Sequence, residues 1–456
     1  MSTPYIILIV VSGITVLLLL VLRMKISAFI ALIVTSILVG IMAGMPLSEI
    51  ISSIEKGMGG TLGFVATVVG LGAIFGQILE SSGGAESLAH YLLKTFGQSK
   101  ASWALMLTGF IVAIPVFLDV GLIIFIPIVY ALSHDTKKSL LFFGIPLLAG
   151  LAVAHSFIPP TPGPVAVANI LDVPLGWVIL FGIVLGLPTA IIAGPVFGKY
   201  ISGKINIQPS EKLFGEKTNT VPPGKLPSFW LIIILIVAPL ILIVLSTITR
   251  VILENNVITK SIITEIIIFM GHPFTALTIA TLLSIYLLGI KRGMSRQKIL
   301  NLSTKALGPA GIIILITGAG GVLKQILVDS EIGTIMAKSI AGSALSPILL
   351  AWILAAIIRV TQGSATVAMI TAAGIISPAL PVFQLDGPHR ALIVIAIATG
   401  ATILSHVNDS GFWLVCKYFG MSEKQTLQSW TIMETIISVC GLAFVLIANY
   451  LILPLF

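Results

Sequence analysis

Long apolar runs alternate with short polar interruptions along the whole chain, among them 5–22, 229–246 and 436–453. Each is close to the roughly 20 residues that span a hydrocarbon core. The pattern predicts transmembrane helices near 4–22, 26–44, 61–80, 140–170, 175–198, 227–249, 265–289, 304–327, 389–418 and 430–453. Two further apolar stretches, 102–133 and 345–378, would each be about 50 Å long as helices, too long for one simple span and too short for two. A re-entrant hairpin of two half-helices fits both. Turn and polar residues sit near their midpoints: Pro115, Asp119 and Gly121 in the first, and Arg359, Thr361, Gln362, Gly363 and Ser364 in the second. Irregular backbone at that depth has to line a cavity enclosed by protein. The expected fold is an all-α polytopic membrane protein.

The basic residues, which played no part in placing the helices, order themselves on this ladder. Eighteen of the 25 Lys and Arg fall on one side, six on the other, and Arg359 lies inside a hairpin. The positive-inside bias puts the first side in the cytoplasm and both termini outside. The ladder gives five crossings per half, an odd number, so the halves are expected to be inverted repeats, each with a re-entrant hairpin and a broken transmembrane helix. Internal matches agree. Gly70-x-Gly72 with Gln77-Ile78-Leu79 recurs 248 residues later as Gly318-x-Gly320 with Gln325-Ile326-Leu327, Trp103 pairs with Trp352, and His155 pairs with His406. The expected division is an N-terminal repeat over 1–199, a hydrophilic cytoplasmic linker over 200–226 and a C-terminal repeat over 227–456. Inverted repeats with discontinuous helices commonly bind substrate at the midplane, where the repeats meet.

Composition narrows the classes. Of 456 residues, 57% are hydrophobic and only 9% charged, against about 25% charged in soluble domains. The bilayer is therefore the solvent. The net charge of +8 is distributed between apolar runs as a topology signal, so a nucleic-acid partner is not expected. Two cysteines, Cys416 and Cys440, in or beside apolar segments make neither a disulfide framework nor a zinc site, and no metal or cofactor is expected. Residues 5–22 follow no basic region and precede no small-residue cleavage pattern, so they read as a retained helix. There is no Gly-x-x-x-x-Gly-Lys-[Ser/Thr] phosphate loop, no His-Glu-x-x-His and no Gly-x-Ser-x-Gly pattern, which argues against an ATP-driven pump and against an enzyme. Energy should come from an ion gradient.

Candidate chemistry gathers at the interruptions. His155-Ser156-Phe157-Ile158-Pro159-Pro160-Thr161-Pro162-Gly163-Pro164 holds four prolines and a glycine in six residues and cannot stay helical. Its counterpart, Ser405-His406-Val407-Asn408-Asp409-Ser410-Gly411, is polar instead. Asp119 is an intramembrane carboxylate, which costs about 2.5–3.5 kcal/mol on insertion scales and marks a candidate proton carrier; a static hydrogen bond at the hairpin tip is the alternative. Arg359 can grip a substrate carboxylate through its planar fork, or form a salt bridge to Asp119 or Asp409. His155 and His406 are candidates for substrate binding or proton transfer because imidazole titrates in the physiological range, and Asp409 is a further candidate as a carboxylate beside His406. Ser156, Thr161, Gln362, Ser364, Thr366, Asn408 and Asp409 offer the hydrogen bonds that a hydroxyl-rich substrate needs.

These pieces resemble the gluconate permease family from the first helix to the last. The likeness is carried by Gly44-Met45-Pro46-Leu47, Gly59-Gly60-Thr61-Leu62-Gly63, the His155 to Pro164 motif, Gly194-Pro195, Gly363-Ser364-Ala365-Thr366-Val367-Ala368, and Ser405-His406-Val407-Asn408-Asp409 with Gly411-Phe412-Trp413. The resemblance implies proton-coupled uptake of gluconate or a related sugar acid across the bacterial inner membrane. Relatives in the wider ion-transporter superfamily imply a homodimer with a fixed scaffold and a moving transport domain, an elevator. Sodium-coupled carboxylate transport and transport of D-serine or another hydroxy acid remain alternatives.

Overall fold

The computed structural model describes residues 3–209, 226–332 and 346–452. Among the described residues the chain is helical with no strand, and nine helical stretches are long and apolar enough to cross a membrane. The first half runs α1 (Thr3–Leu18), α2 (Ala28–Met42), α3 (Leu47–Ser81), α4 (Gly84–Phe96), α5 (Ala101–Val112), α6 (Leu118–Thr136), α7 (Leu140–Phe157), α8 (Pro162–Ile170), α9 (Leu175–Ile191) and, after a π-helical turn, α10 (Phe197–Lys204). The second runs α11 (Phe229–Glu254), α12 (Ile262–Met270), α13 (Pro273–Ser284), α14 (Arg296–Asp329), α15 (Pro347–Gln362), α16 (Ala365–Ile376), α17 (Gly387–Gly400), α18 (Ser410–Tyr418), the single turn α19 (Glu423–Thr426) and α20 (Ile432–Ile452). Residues 210–225, most of the expected linker, lie outside the described residues.

Several expected boundaries move, each for a local reason. The helix expected from 61 begins at Leu47, after Pro46 and the left-handed Gly44; its first turns carry Glu49, Glu55 and Lys56, so apolarity alone overlooks them. In the same way α14 starts at Arg296 rather than 304, where Ser295 accepts a hydrogen bond from the Lys298 amide at 3.2 Å. The single helix expected over 265–289 is divided at Gly271. Pro273 there opens α13, and the His272 imidazole caps the Phe274 amide at 3.3 Å. The short helix α4 is absent from the expected set, since it is not long enough to register as a crossing, and α12 is the first piece of the divided 265–289 helix.

Two long helices, α3 and α14, form the most extensive contact between the halves. The Ser53 hydroxyl donates to Asp329 at 2.6 Å, Gly57 lies against the backbone of Gly321 and Val322, and Gly70 sits beside Leu307. Numbers rise along α3 as they fall along α14, so the two helices are antiparallel. A side chain at Gly57 or Gly321 would occupy space already filled by the other's backbone, and this is what allows the close approach. By contrast α8 and α16 run parallel: Gly163 adjoins Met369, and Ser377, just past α16, donates to the Ile170 carbonyl at 2.8 Å. The Lys324 ammonium, from α14, reaches the same carbonyl at 2.6 Å.

Candidate functional site

Four helices are interrupted deep in the molecule, and each interruption has a chemical cause. Between α5 and α6 the chain leaves helical geometry around Pro115, whose carbonyl packs on Gly76. Between α7 and α8 it passes through Ile158, the cis Pro159–Pro160 bond and Thr161, where the prolines offer no amide to continue the ladder. Between α15 and α16, Gly363 takes φ +79 and Ser364 caps α16 by accepting from the Val367 amide at 3.4 Å. Between α17 and α18, residues 401–409 are non-helical, and Asp409 caps α18 by accepting from the Gly411 amide at 3.0 Å.

The ends so created surround one cavity of about 470 Å³, within the range typical of small-molecule sites. Asp119 contributes from the first turn of α6, and His155 and Ser156 from the last turn of α7. Arg359 and Gln362 come from the end of α15, and Ser364 and Thr366 from the start of α16. Asn408 and Asp409 complete the wall ahead of α18. The N-termini of α16 and α18 both open onto this space, and helix N-termini attract anions through their free amides and dipole. Arg359 is only 4% exposed and bonds through one guanidinium nitrogen to Asp409 at 2.5 Å and through another to the Gly363 carbonyl. Its Nε has no partner, nor do either of the Gln362 amide atoms or the Nδ1 of His155, all of them buried. Buried donors and acceptors without partners are costly, and four such atoms are concentrated around this cavity.

Of the sequence-predicted residues, Asp119, His155, Ser156, Arg359, Gln362, Ser364, Thr366, Asn408 and Asp409 meet at this cavity. Asp119 is exposed toward it rather than enclosed by protein, and it lies in the first turn of α6 rather than in the turn before it. Two predicted residues are elsewhere. Thr161 donates to the Ile158 carbonyl at 2.5 Å and lines a narrow separate cleft with Gly72 and Pro160. His406 bonds through Nε2 to the Val360 carbonyl at 3.0 Å, and Asn408 adds a second bond to that carbonyl at 2.9 Å. Both therefore satisfy the free carbonyls at the end of α15. Three lining residues with polar atoms escaped the sequence reading: Thr402, Trp430 and Glu434. Thr402 and Trp430 carried no signal. Glu434, a lone carboxylate at the head of an apolar run, did.

The wall is braced from behind. The Trp430 indole donates to the Ser405 hydroxyl at 2.6 Å, that hydroxyl donates to Asp409, and the Thr431 hydroxyl donates to the Ser405 carbonyl. Trp430 and Thr431 belong to the π-helical turn Leu427–Thr431 that leads into α20, and Glu434 follows one turn later, 4% exposed. Such π-turns recur at functional sites.

Comparison with known proteins adds the following. The family described as GntP family permease matches residues 5–451. A gluconate permease of Pseudomonas aeruginosa is 41% identical over 433 residues, 95% of each chain. A low-affinity gluconate transporter of Escherichia coli K12 is 41% identical over 445 residues, 97% of each chain. Among solved structures, MtrF of Neisseria gonorrhoeae, described with a class of antimetabolite efflux pumps, superposes with a TM-score of 0.61 at 16% identity, covering 88% of this chain and 83% of its own. At that identity the likeness concerns the fold alone.

Proposed function

The chain belongs to the GntP family of permeases, and from that premise we propose that it imports gluconate or a related sugar acid by proton symport. It is a multi-pass membrane transporter and not an enzyme. The observation that carries the substrate class is the cavity wall. One guanidinium and two helix N-termini suit a carboxylate, while Gln362, with both amide atoms unpartnered, Ser364, Thr366 and Ser156 suit a row of hydroxyls. Asp119, facing the cavity from α6, is the residue we assign to carry the proton between cavity and water, with His155 and Asp409 beside it on the same wall.

The architecture we infer is two inverted repeats, 1–199 and 227–456, joined by a cytoplasmic linker over 200–226, in the bacterial inner membrane with both termini outside. The antiparallel course of α3 and α14 supports the inversion, because these helices carry the Gly-x-Gly and Gln-Ile-Leu matches. So does the packing inside each half: Gly150 seats against the backbone of Met106, and Gly400 against that of Trp352. The interruptions after α5 and α15 support re-entrant hairpins. A homodimer with a moving transport domain, as the resemblance implies, completes the proposal.

The test is uptake by purified protein in liposomes. Labelled gluconate should accumulate under an inward proton gradient, and replacing sodium with choline at constant pH should leave the uptake unchanged. Unlabelled gluconate and idonate should compete, and D-serine and dicarboxylates should not. Accumulation that follows sodium instead would overturn the proton reading.

A further inference from the structure

The cavity contains more carboxyl groups than its single guanidinium can pair. Among the described residues Arg359 is its only Lys or Arg, whereas Asp119, Asp409 and Glu434 all line it. Asp409 is taken up by the Arg359 guanidinium, the Ser405 hydroxyl and the Gly411 amide. Glu434 has no hydrogen bond or ion pair to its side chain among the described residues, although it lies 4% exposed on the cavity wall. A sugar acid entering this space brings a further negative charge. Two unpaired carboxylates sharing a confined, poorly solvated cavity repel each other strongly. The occupied cavity and the protonated form of one wall carboxylate therefore belong together.

We propose that Glu434 is that carboxylate: it binds the proton that accompanies the substrate anion, so that loading the cavity with one requires the other. The inference rests on the transport reading above and adds to it the site of coupling. Asp119, exposed, suits a relay between water and the interior; Glu434, buried and without donors, suits the storage of a proton during passage. The charged and titratable groups around Glu434 are few. Arg359 comes from α15, Asp409 from ahead of α18, His155 from the end of α7 and Asp119 from α6. Among the described residues the helices packed most extensively along α20 add no other titratable group here: α9 has no titratable side chain, and those of α17, His389 and Arg390, sit at its far end. Because Arg359 is already paired, it does not neutralise substrate and Glu434 together.

The experiment measures proton uptake on gluconate binding to the purified full-length protein in weakly buffered detergent solution at pH values from 7 to 9, with pH-indicator dyes, alongside binding followed by tryptophan fluorescence. The wild type should take up protons on binding, rising towards one for each gluconate at the upper end of that range, where the carboxylate of the empty cavity is ionised. Glu434→Gln should bind gluconate, with altered affinity, and take up none, and in liposomes it should exchange gluconate without accumulating it under a proton gradient. Wild-type binding without proton uptake, or undiminished uptake in Glu434→Gln, overturns the proposal. If Glu434→Gln does not bind, Glu434→Asp decides: proton uptake with binding supports the assignment, and binding without it overturns it. Failure of the wild type to bind gluconate at all would instead overturn the transport reading on which the assignment stands.

Discussion

At the scale of single residues, Arg359 does two jobs that depend on shape as well as charge. Its fork ties Asp409 to the Gly363 carbonyl, and so holds the ends of α15, α16 and α18 in one arrangement, with Nε buried and unpartnered. A lysine keeps the charge and loses the fork. Arg359→Lys should therefore raise KM for gluconate uptake at least tenfold, equivalent to about 1.4 kcal/mol, in protein that is still inserted and monodisperse. Kinetics at saturating proton gradient check this. Asp119 tests the other half of the chemistry. Asp119→Asn should abolish accumulation driven by a pH gradient, and full accumulation in the variant would remove the residue from the proton path. His406 shows how misleading residue type is by itself. Its pairing with His155 across the repeats suggested a shared role, yet its ring is used on the Val360 carbonyl at a helix end.

At the scale of elements, function follows from where helices stop. The break after α15 needs a residue with φ +79, and Gly363 is packed so closely that a methyl group would overlap the Asn408 carbonyl. Left-handed geometry alone costs an alanine about 1–2 kcal/mol. Gly363→Ala should lower the melting temperature of the purified protein and cut uptake sharply, because the same turn positions Arg359, Gln362 and Ser364. The pairing of α3 with α14 makes a different demand, close approach. Gly57→Leu should force these helices apart; overpacking of this kind costs roughly 1–3 kcal/mol. The expected readout is aggregation or a lowered thermal midpoint in size-exclusion and melting assays, with no selective change in KM. The breaks themselves were legible in the chain, since Pro159 and Pro160 interrupt the helical ladder and Gly363, amid polar residues, weakens it. The extensions of α3 and α14 were not, because hydropathy locates the part of a helix that lies in lipid and is silent about the polar turns beyond it.

At the scale of the whole molecule, the charge ladder makes a sidedness prediction. In a Cys416→Ser, Cys440→Ser background, a cysteine replacing Lys260 should react with a membrane-impermeant maleimide added outside intact cells, and one replacing Lys291 only after permeabilisation. Both positions are exposed, so access is decided by the membrane alone. The reverse pattern would invert the orientation and, with it, the direction in which the cavity loads. By itself the sequence determined that the protein lives in a bilayer, roughly where its helices lie, where they break, and which residues at the breaks are polar. These follow from local physics: the length of an apolar run, the missing amide of proline and the cost of unpaired backbone in lipid. Tertiary structure alone decided which of those polar residues share a cavity. It brought Asp119, His155, Arg359 and Asp409 together, turned His406 and Thr161 aside, and added Glu434 and Trp430 from a helix more than 60 residues from Arg359 along the chain. Whether a side chain faces a cavity or a neighbouring carbonyl depends on the rotation and packing of whole helices against one another, which no local pattern encodes.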